Sequence, residues 1–153
     1  AVAYVRRVAL AKAEGGIKRV LWRSLPQRLL LAADTTLEVD GEIIGKPDND
    51  EHAQAILRDL SGRTHQVLTA VVVTDGTRYA QRLSTSQVRF RRITEEEIRH
   101  YVATGEAADK AGAYGIQGRA AIFIEEIRGS YTGIMGLPLF ETAALLREFG
   151  YPL

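Results

Sequence analysis

The 153-residue chain contains no cysteine, which excludes a disulfide framework, a thiolate metal site and a cysteine nucleophile. A reducing, cytoplasmic compartment fits that absence. Long apolar runs are also lacking: the longest strongly apolar stretches, such as Leu29 to Ala33, fall far short of the roughly 18 residues a membrane-spanning helix needs. No membrane partner is expected. Charge of one sign is not in excess either. A net charge of +1 provides no global basic field, so no nucleic-acid partner is expected. Lysine is scarce, with four residues against 16 arginines, and three of the four (Lys12, Lys46 and Lys110) fall in or near the segments singled out below. Linkers, repeats and low-complexity tracts are missing. With 46% apolar and 25% charged residues, near globular averages, the chain is long enough to bury a sizeable core. One domain over 1–153 is expected, with two lobes around a cleft.

The apolar pattern over Val2 to Ala13 has helical spacing, and Gly15-Gly16 is expected to stop it. Because the chain opens directly on this pattern, a further segment upstream is expected. After Pro26, LLLAADTTLEVDGEIIGKP predicts two strands joined at Asp40-Gly41 and ending at Pro47. Asp48 or Asn49 can cap a helix carrying Ala53, Ile56, Leu57 and Leu60 to Ser61-Gly62. THQVLTAVVVTD and RYAQRLSTSQVRFRRI, turned at Asp75-Gly76, read as a long antiparallel pair with one strand buried and the other largely polar. Thr94 and Glu97 form a capping box for a helix to Val102. A glycine-rich loop over 109–118 precedes a strand from Ala120 to Ile127, a turn at Gly129, a second extended piece and a last helix from Leu139 to Phe149. Hairpins outnumber strand-helix-strand units, so the fold class is mixed α/β (α+β): an elongated mixed, largely antiparallel sheet flanked by helices, not a doubly wound parallel sheet.

Asp34 follows LLLAA, where a buried strand meets polar Thr35-Thr36. A carboxylate there can bind a hard cation or accept a proton from water, or it can bond its own backbone in a turn. Gly41 to Pro47, GEIIGKP, has three residues between its glycines and a proline after the lysine, so it is not a Walker loop; Lys46 can still meet a phosphate. DKAGAYGIQG over 109–118 gathers three glycines, an acid-base pair and Gln117, an exposed loop whose backbone can approach a ligand closely. The histidines His52, His65 and His100 lack paired metal-ligand spacing. Ser130 has no identifiable base, and Arg89 to Arg92 alternate like a charged edge strand.

Five segments in order, AADT at 32–35, GEIIGKP at 41–47, LSGRTHQVLTAV at 60–71, DKAGAYGIQG at 109–118 and GLPLFET at 136–142, resemble the Maf family, also called septum formation inhibitor proteins. The loop 109–118 is similar to that of the subgroup acting on dTTP and UTP. The resemblance implies a Maf/ITPase-like fold and hydrolysis of a pyrimidine nucleoside triphosphate to the monophosphate and pyrophosphate, a house-cleaning of nucleotide pools, with a divalent cation, Mg²⁺ or Mn²⁺. It implies Asp34 as proton acceptor, and Thr35 and Gln117 as positions linked to substrate choice. Lys12, Lys46, Lys110 and Asp109 match charged positions of the cleft, with Asp34 and Asp109 as the candidate metal ligands. The family's N-terminal phosphate-binding segment, rich in serine, proline and arginine, has no counterpart in this sequence. The alternative function is a nucleotide-binding regulator of septum formation without turnover, and an edge-strand homodimer is a further expectation.

Overall fold

The computed structural model describes residues 1–153. Its centre is an antiparallel sheet of five strands, β1 (Leu30–Val39), β2 (Glu42–Ile44), β3 (Thr64–Thr74), β4 (Tyr79–Phe90) and β5 (Ile124–Arg128), ordered β2-β1-β3-β4-β5. The expected mixed α/β class with a largely antiparallel sheet is borne out, and every neighbouring pair is antiparallel. β3 is central and buried from Val67 to Thr74, whereas β4 alternates. This is the pattern expected when helices cover both faces of one strand and solvent reaches one face of the next.

Helices pack on the sheet according to side-chain parity. On one face α1 (Val2–Trp22) lays Val5, Ala9 and Ala13 against Leu68, Ala70 and Val72. On the other, Leu145 of α5 (Leu139–Glu148) meets Val71 and Val73. Toward the β2 end, α2 (Asp50–Leu60) and α3 (Glu95–Ala103) join Leu37, Val67, Val88 and Phe90 in the largest core. Asn49 caps α2 by accepting from His52 N–H at 2.8 Å, and the Thr94/Glu97 capping box opens α3, both as the sequence predicts.

Three local expectations change. Gly15-Gly16 does not stop α1, which continues to Trp22. The buried stripe Val5, Ala9, Ala13, Ile17 runs on at intervals of four, and a Cβ at Gly16 would stand 2.6 Å from Leu30 Cδ1. Packing thus outweighs a helix-propensity cost of about 1 kcal/mol per glycine. The strand expected from Ala120 begins only at Ile124, since residues Arg119–Phe123 form a 3₁₀ turn that buries Ala120 and Phe123. The piece after Gly129 is not extended but a short helix, α4 (Tyr131–Met135), with Ser130 as its cap and Gly136 closing it at φ 115°.

The caps and the core differ in energetic weight. Leu57 is fully buried in the largest core, so Leu57→Ala should lower stability by roughly 2–5 kcal/mol. Asn49→Ala should cost about 1 kcal/mol. Urea unfolding of the two variants checks both, and equal losses would contradict the assignment of Leu57 to a packed core.

Candidate active site

β2 pairs with β1 only through Leu37, Glu38 and Val39, so residues 30–36 of β1 form an uncovered edge of the sheet. A cavity of about 380 Å³ lies there, within the size range of small-molecule sites. α1 contributes Lys12, β1 contributes Asp34 and Thr35, the segment after β2 contributes Lys46, and α4 contributes Ile134 and Met135. The loop after α3 supplies Glu106, Lys110, Tyr114 and Gln117. Six of the candidates read from sequence, Lys12, Asp34, Thr35, Lys46, Lys110 and Gln117, therefore meet in one cleft. Asp109 does not line it: its side chain is 78% exposed, with its carboxylate 3.0 Å from Lys110 Nζ.

Successive β-strand side chains point to opposite faces, and the cleft wraps the β1 edge so that both faces contribute. Asp34, opposite Ala70 in the register, is on the α1 face. Lys12, one residue before the buried Ala13, reaches over that face. Its Nζ donates to Asp34 Oδ1 at 2.7 Å and to the Ala33 carbonyl at 3.3 Å. Only 16% of the Asp34 side chain is exposed against 54% for Lys12, so the carboxylate is set in the wall while the lysine is free to swing. Thr35, opposite Thr69, is on the other face. Its hydroxyl is 2.9 Å from Thr69 Oγ1, which donates to the Gly133 carbonyl at 2.7 Å.

The glycine-rich loop over 109–118 is clamped from several sides. Gly112 N–H donates to the Gly45 carbonyl at 3.1 Å, Gly115 N–H to Tyr101 Oη at 3.2 Å, and Arg119 N–H to Glu106 Oε1 at 3.1 Å. A Cβ at Gly118 would fall 1.7 Å from Glu106 Oε1, so a glycine is required for that carboxylate to sit against the loop. Tyr114 Oη is 2.7 Å from Nε2 of buried His65, and both rings pack edge-on against Phe90. Burial holds the His65 imidazole neutral, with its pKa lowered from 6.5 to about 4, and pushes the Tyr114 phenol up. The Lys110 ammonium, and more weakly Lys46, draw the Asp109 carboxyl below its ordinary range.

Glu106 and His65 are residues whose place at the site sequence reasoning missed, and Tyr114 was read only as part of the 109–118 loop. The available signals were that Gly105-Glu106 precedes the glycine-rich loop, that Tyr114 falls inside it, and that His65 follows Arg63-Thr64 at the start of a strand. The other candidates lie elsewhere. Ser130 spends its hydroxyl capping α4, accepting from Gly133 N–H at 3.0 Å. Arg89 pairs with Glu125 at 3.2 Å, and Arg91 with Glu97 at 2.9 Å.

The lining holds three lysines and two carboxylates, Asp34 and Glu106, a set suited to a polyanionic ligand that brings cations with it. No group of three histidine, cysteine, aspartate or glutamate residues is arranged to hold a metal by itself. Oxygen donors that are few in number fit Mg²⁺-like ions, which keep several waters and are commonly shared between one or two carboxylates and substrate phosphates. The fold thus places a charged cleft, suited to a small polyanion, at a sheet edge.

Residues 1–149 match the family model described as Maf-like protein. The chain belongs to the Maf family. It is 69% identical over 98% of its length to a dTTP/UTP pyrophosphatase of Aromatoleum aromaticum, covering 73% of that protein. It is 58% identical over 98% of its length to the dTTP/UTP pyrophosphatase of Dechloromonas aromatica, covering 75% of it, and 54% identical over its full length to that of Chromobacterium violaceum, covering 77%. No helix is long and apolar enough to cross a membrane.

The His65 environment generates a pH prediction. A histidine whose pKa is depressed on folding contributes stability that is complete above its unfolded value of 6.5 and is lost as pH falls toward 4. Between pH 7 and pH 4 that loss is roughly 3 kcal/mol. In His65→Phe the acid-induced loss should shrink by about this amount, measured by urea unfolding at the two pH values. An unchanged pH dependence would show that the imidazole is not the acid-sensitive group.

Proposed function

We propose that residues 1–153 act as one domain that hydrolyses dTTP and UTP to the monophosphate and pyrophosphate. The observation that carries the reading is the meeting of Asp34 with Lys12, Lys46, Lys110 and Gln117 in one cleft, in a chain whose similar proteins are called dTTP/UTP pyrophosphatases. Those names favour turnover over a regulator of septum formation that only binds nucleotide. A cytoplasmic setting suits an enzyme of nucleotide pools and agrees with the lack of cysteine.

In the reaction, Asp34 takes a proton from a water that attacks the α-phosphorus in line, the bond from that phosphorus to the bridging oxygen breaks, and pyrophosphate leaves. Lys12 must give up its ion pair for this. As the triphosphate enters, its ammonium moves from Asp34 Oδ1 to a phosphate oxygen, freeing the carboxylate as acceptor. Lys46 and Lys110 hold the remaining phosphate charge. Positioning and charge neutralisation supply most of the acceleration, since the reaction asks for little covalent chemistry from the protein. A divalent cation, Mg²⁺ or Mn²⁺, held by Asp34 together with the phosphates, would neutralise charge on the triphosphate; Asp109, outside the lining but bonded to Lys110, is the second candidate ligand. Gln117 offers a donor and an acceptor in one plane for the base, and Thr35 faces the same space.

The test is pyrophosphate release by the full-length protein with dTTP, UTP, CTP and purine triphosphates in Mg²⁺ or Mn²⁺. Asp34→Asn preserves size and removes the proton acceptor, and it should lower kcat by about 10²–10⁴-fold. Lys46→Ala should weaken dTTP binding. Failure of the full-length protein to turn over any of these nucleotides, or an Asp34→Asn rate equal to wild type, overturns the assignment.

A further inference from the structure

Thr69 is completely buried in the middle of β3, and it reaches the cleft only through Thr35. A hydroxyl has one proton and two lone pairs, so its bonds can be followed proton by proton. The Gly133 carbonyl can only accept, so the Thr69 proton is committed to it at 2.7 Å. The contact of 2.9 Å between Thr35 Oγ1 and Thr69 Oγ1 then needs a proton from the other side, and only Thr35 can supply it. Thr35 donates to Thr69, and Thr69 donates to Gly133. What Thr35 has left for the cleft is a lone pair.

We propose that Thr69 is a positioning residue that sets the polarity of Thr35, making it a fixed hydrogen-bond acceptor that selects uracil and thymine over cytosine. This inference rests on the nucleotide-hydrolysing reading above. Uracil and thymine carry a proton on N3, and cytosine carries a lone pair there. An acceptor locked toward N3 attracts the first two and repels the third. Gln117 alone cannot make this distinction, because an amide rotated by 180° exchanges its donor and acceptor. Its carbonyl would receive the cytosine amino group as readily as its NH₂ reaches the O4 of uracil. The relay removes that freedom at another position of the same cleft. Its far end is anchored: Gly133 is in α4, whose cap Ser130 is held in turn by Ser86 Oγ, which accepts from Ser130 N–H at 2.9 Å. Rotation of Thr35 to donate into the cleft would leave two hydroxyl oxygens in lone-pair contact, one of them fully buried, a cost the protein avoids by keeping the proton inward.

The experiment is the ratio of kcat/KM for UTP to that for CTP in the full-length protein carrying Thr69→Val. Valine has nearly the same shape but no hydroxyl, so the Thr35 proton is released and can turn toward cytosine N3. The UTP preference should fall by about tenfold, the worth of one neutral hydrogen bond. Thr69→Ser retains the relay and should retain the wild-type ratio. In a Thr35→Val background, Thr69→Val should leave the ratio unaltered, because residues that act through one another are not additive. A general packing defect lowers both substrates together and leaves the ratio intact, and that result overturns the proposal. So does a shift in ratio that persists without the Thr35 hydroxyl. Equilibrium binding of UTP and CTP in EDTA reads the same preference without turnover. Relaxed binding in Thr69→Val with no pyrophosphate released by any form would support the relay while sinking the hydrolytic reading; an unchanged binding ratio beside normal hydrolysis would do the reverse.

Discussion

The site depends on a mismatch in strand length. β1 has ten residues and β2 three, and their pairing covers only Leu37 to Val39. A covered β1 would have a strand where the cleft is. An uncovered edge in the open is an association hazard, but here α1, α4 and the 109–118 loop surround it with side chains and leave a space instead of a partner strand. The same edge explains why consecutive residues serve one site. Asp34 and Thr35 face opposite sides of the sheet, and only a ligand lying along the rim can be met by both.

From that geometry a division of labour follows. The α1 face carries charge, with Lys12 on Asp34 at 2.7 Å. The α4 face carries neutral hydrogen bonding, with Thr35 on Thr69. On the proposed reading, reaction chemistry and base recognition are arranged on two sides of one strand, separated by the backbone between two neighbouring residues. The carboxylate and the hydroxyl also differ in mobility of their partners. Lys12 is exposed and can leave, whereas Thr69 is buried and cannot. A switchable contact suits a group that must change role during turnover, and a permanent one suits a group that only reads shape and polarity.

Much of the fold was legible because local signals and burial agree. Asp40-Gly41, Asn49, the Thr94/Glu97 box and the Asp75-Gly76 turn each act within a few residues of themselves, and the alternation of β4 reports its half-exposed position. Failures came where tertiary packing decides. Gly15-Gly16 reads as a stop until Leu30 is seen against Gly16, and the span after Gly129 reads as extended until Ser130 is seen turning inward to cap α4. The site was partly legible for the same reason. Asp34 and the loop 109–118 stand out as polar words beside apolar ones, and Lys46 follows a hairpin. Glu106 and Thr69 announce nothing locally, since their meaning lies in the Arg119 amide and the Gly133 carbonyl, 13 and 64 residues away.

The loop shows why such supporting residues are needed at all. A segment with three glycines in ten residues loses more backbone entropy on ordering than an average one, and left alone it would hold Gln117 in no particular place. Four contacts oppose that entropy from different elements: Gly45 from the hairpin, Tyr101 from α3, Glu106 from the turn after it, and His65 through Tyr114 from β3. Two of these groups, Glu106 and Tyr114, also line the cleft, so the clamps form part of its wall. Glycine permits the close approach, as Gly118 does for Glu106, and the clamps remove the freedom that glycine brings. Neither would serve without the other: clamps on a bulkier loop would collide, and an unclamped glycine loop would have to be ordered by the nucleotide itself, at a cost to its affinity.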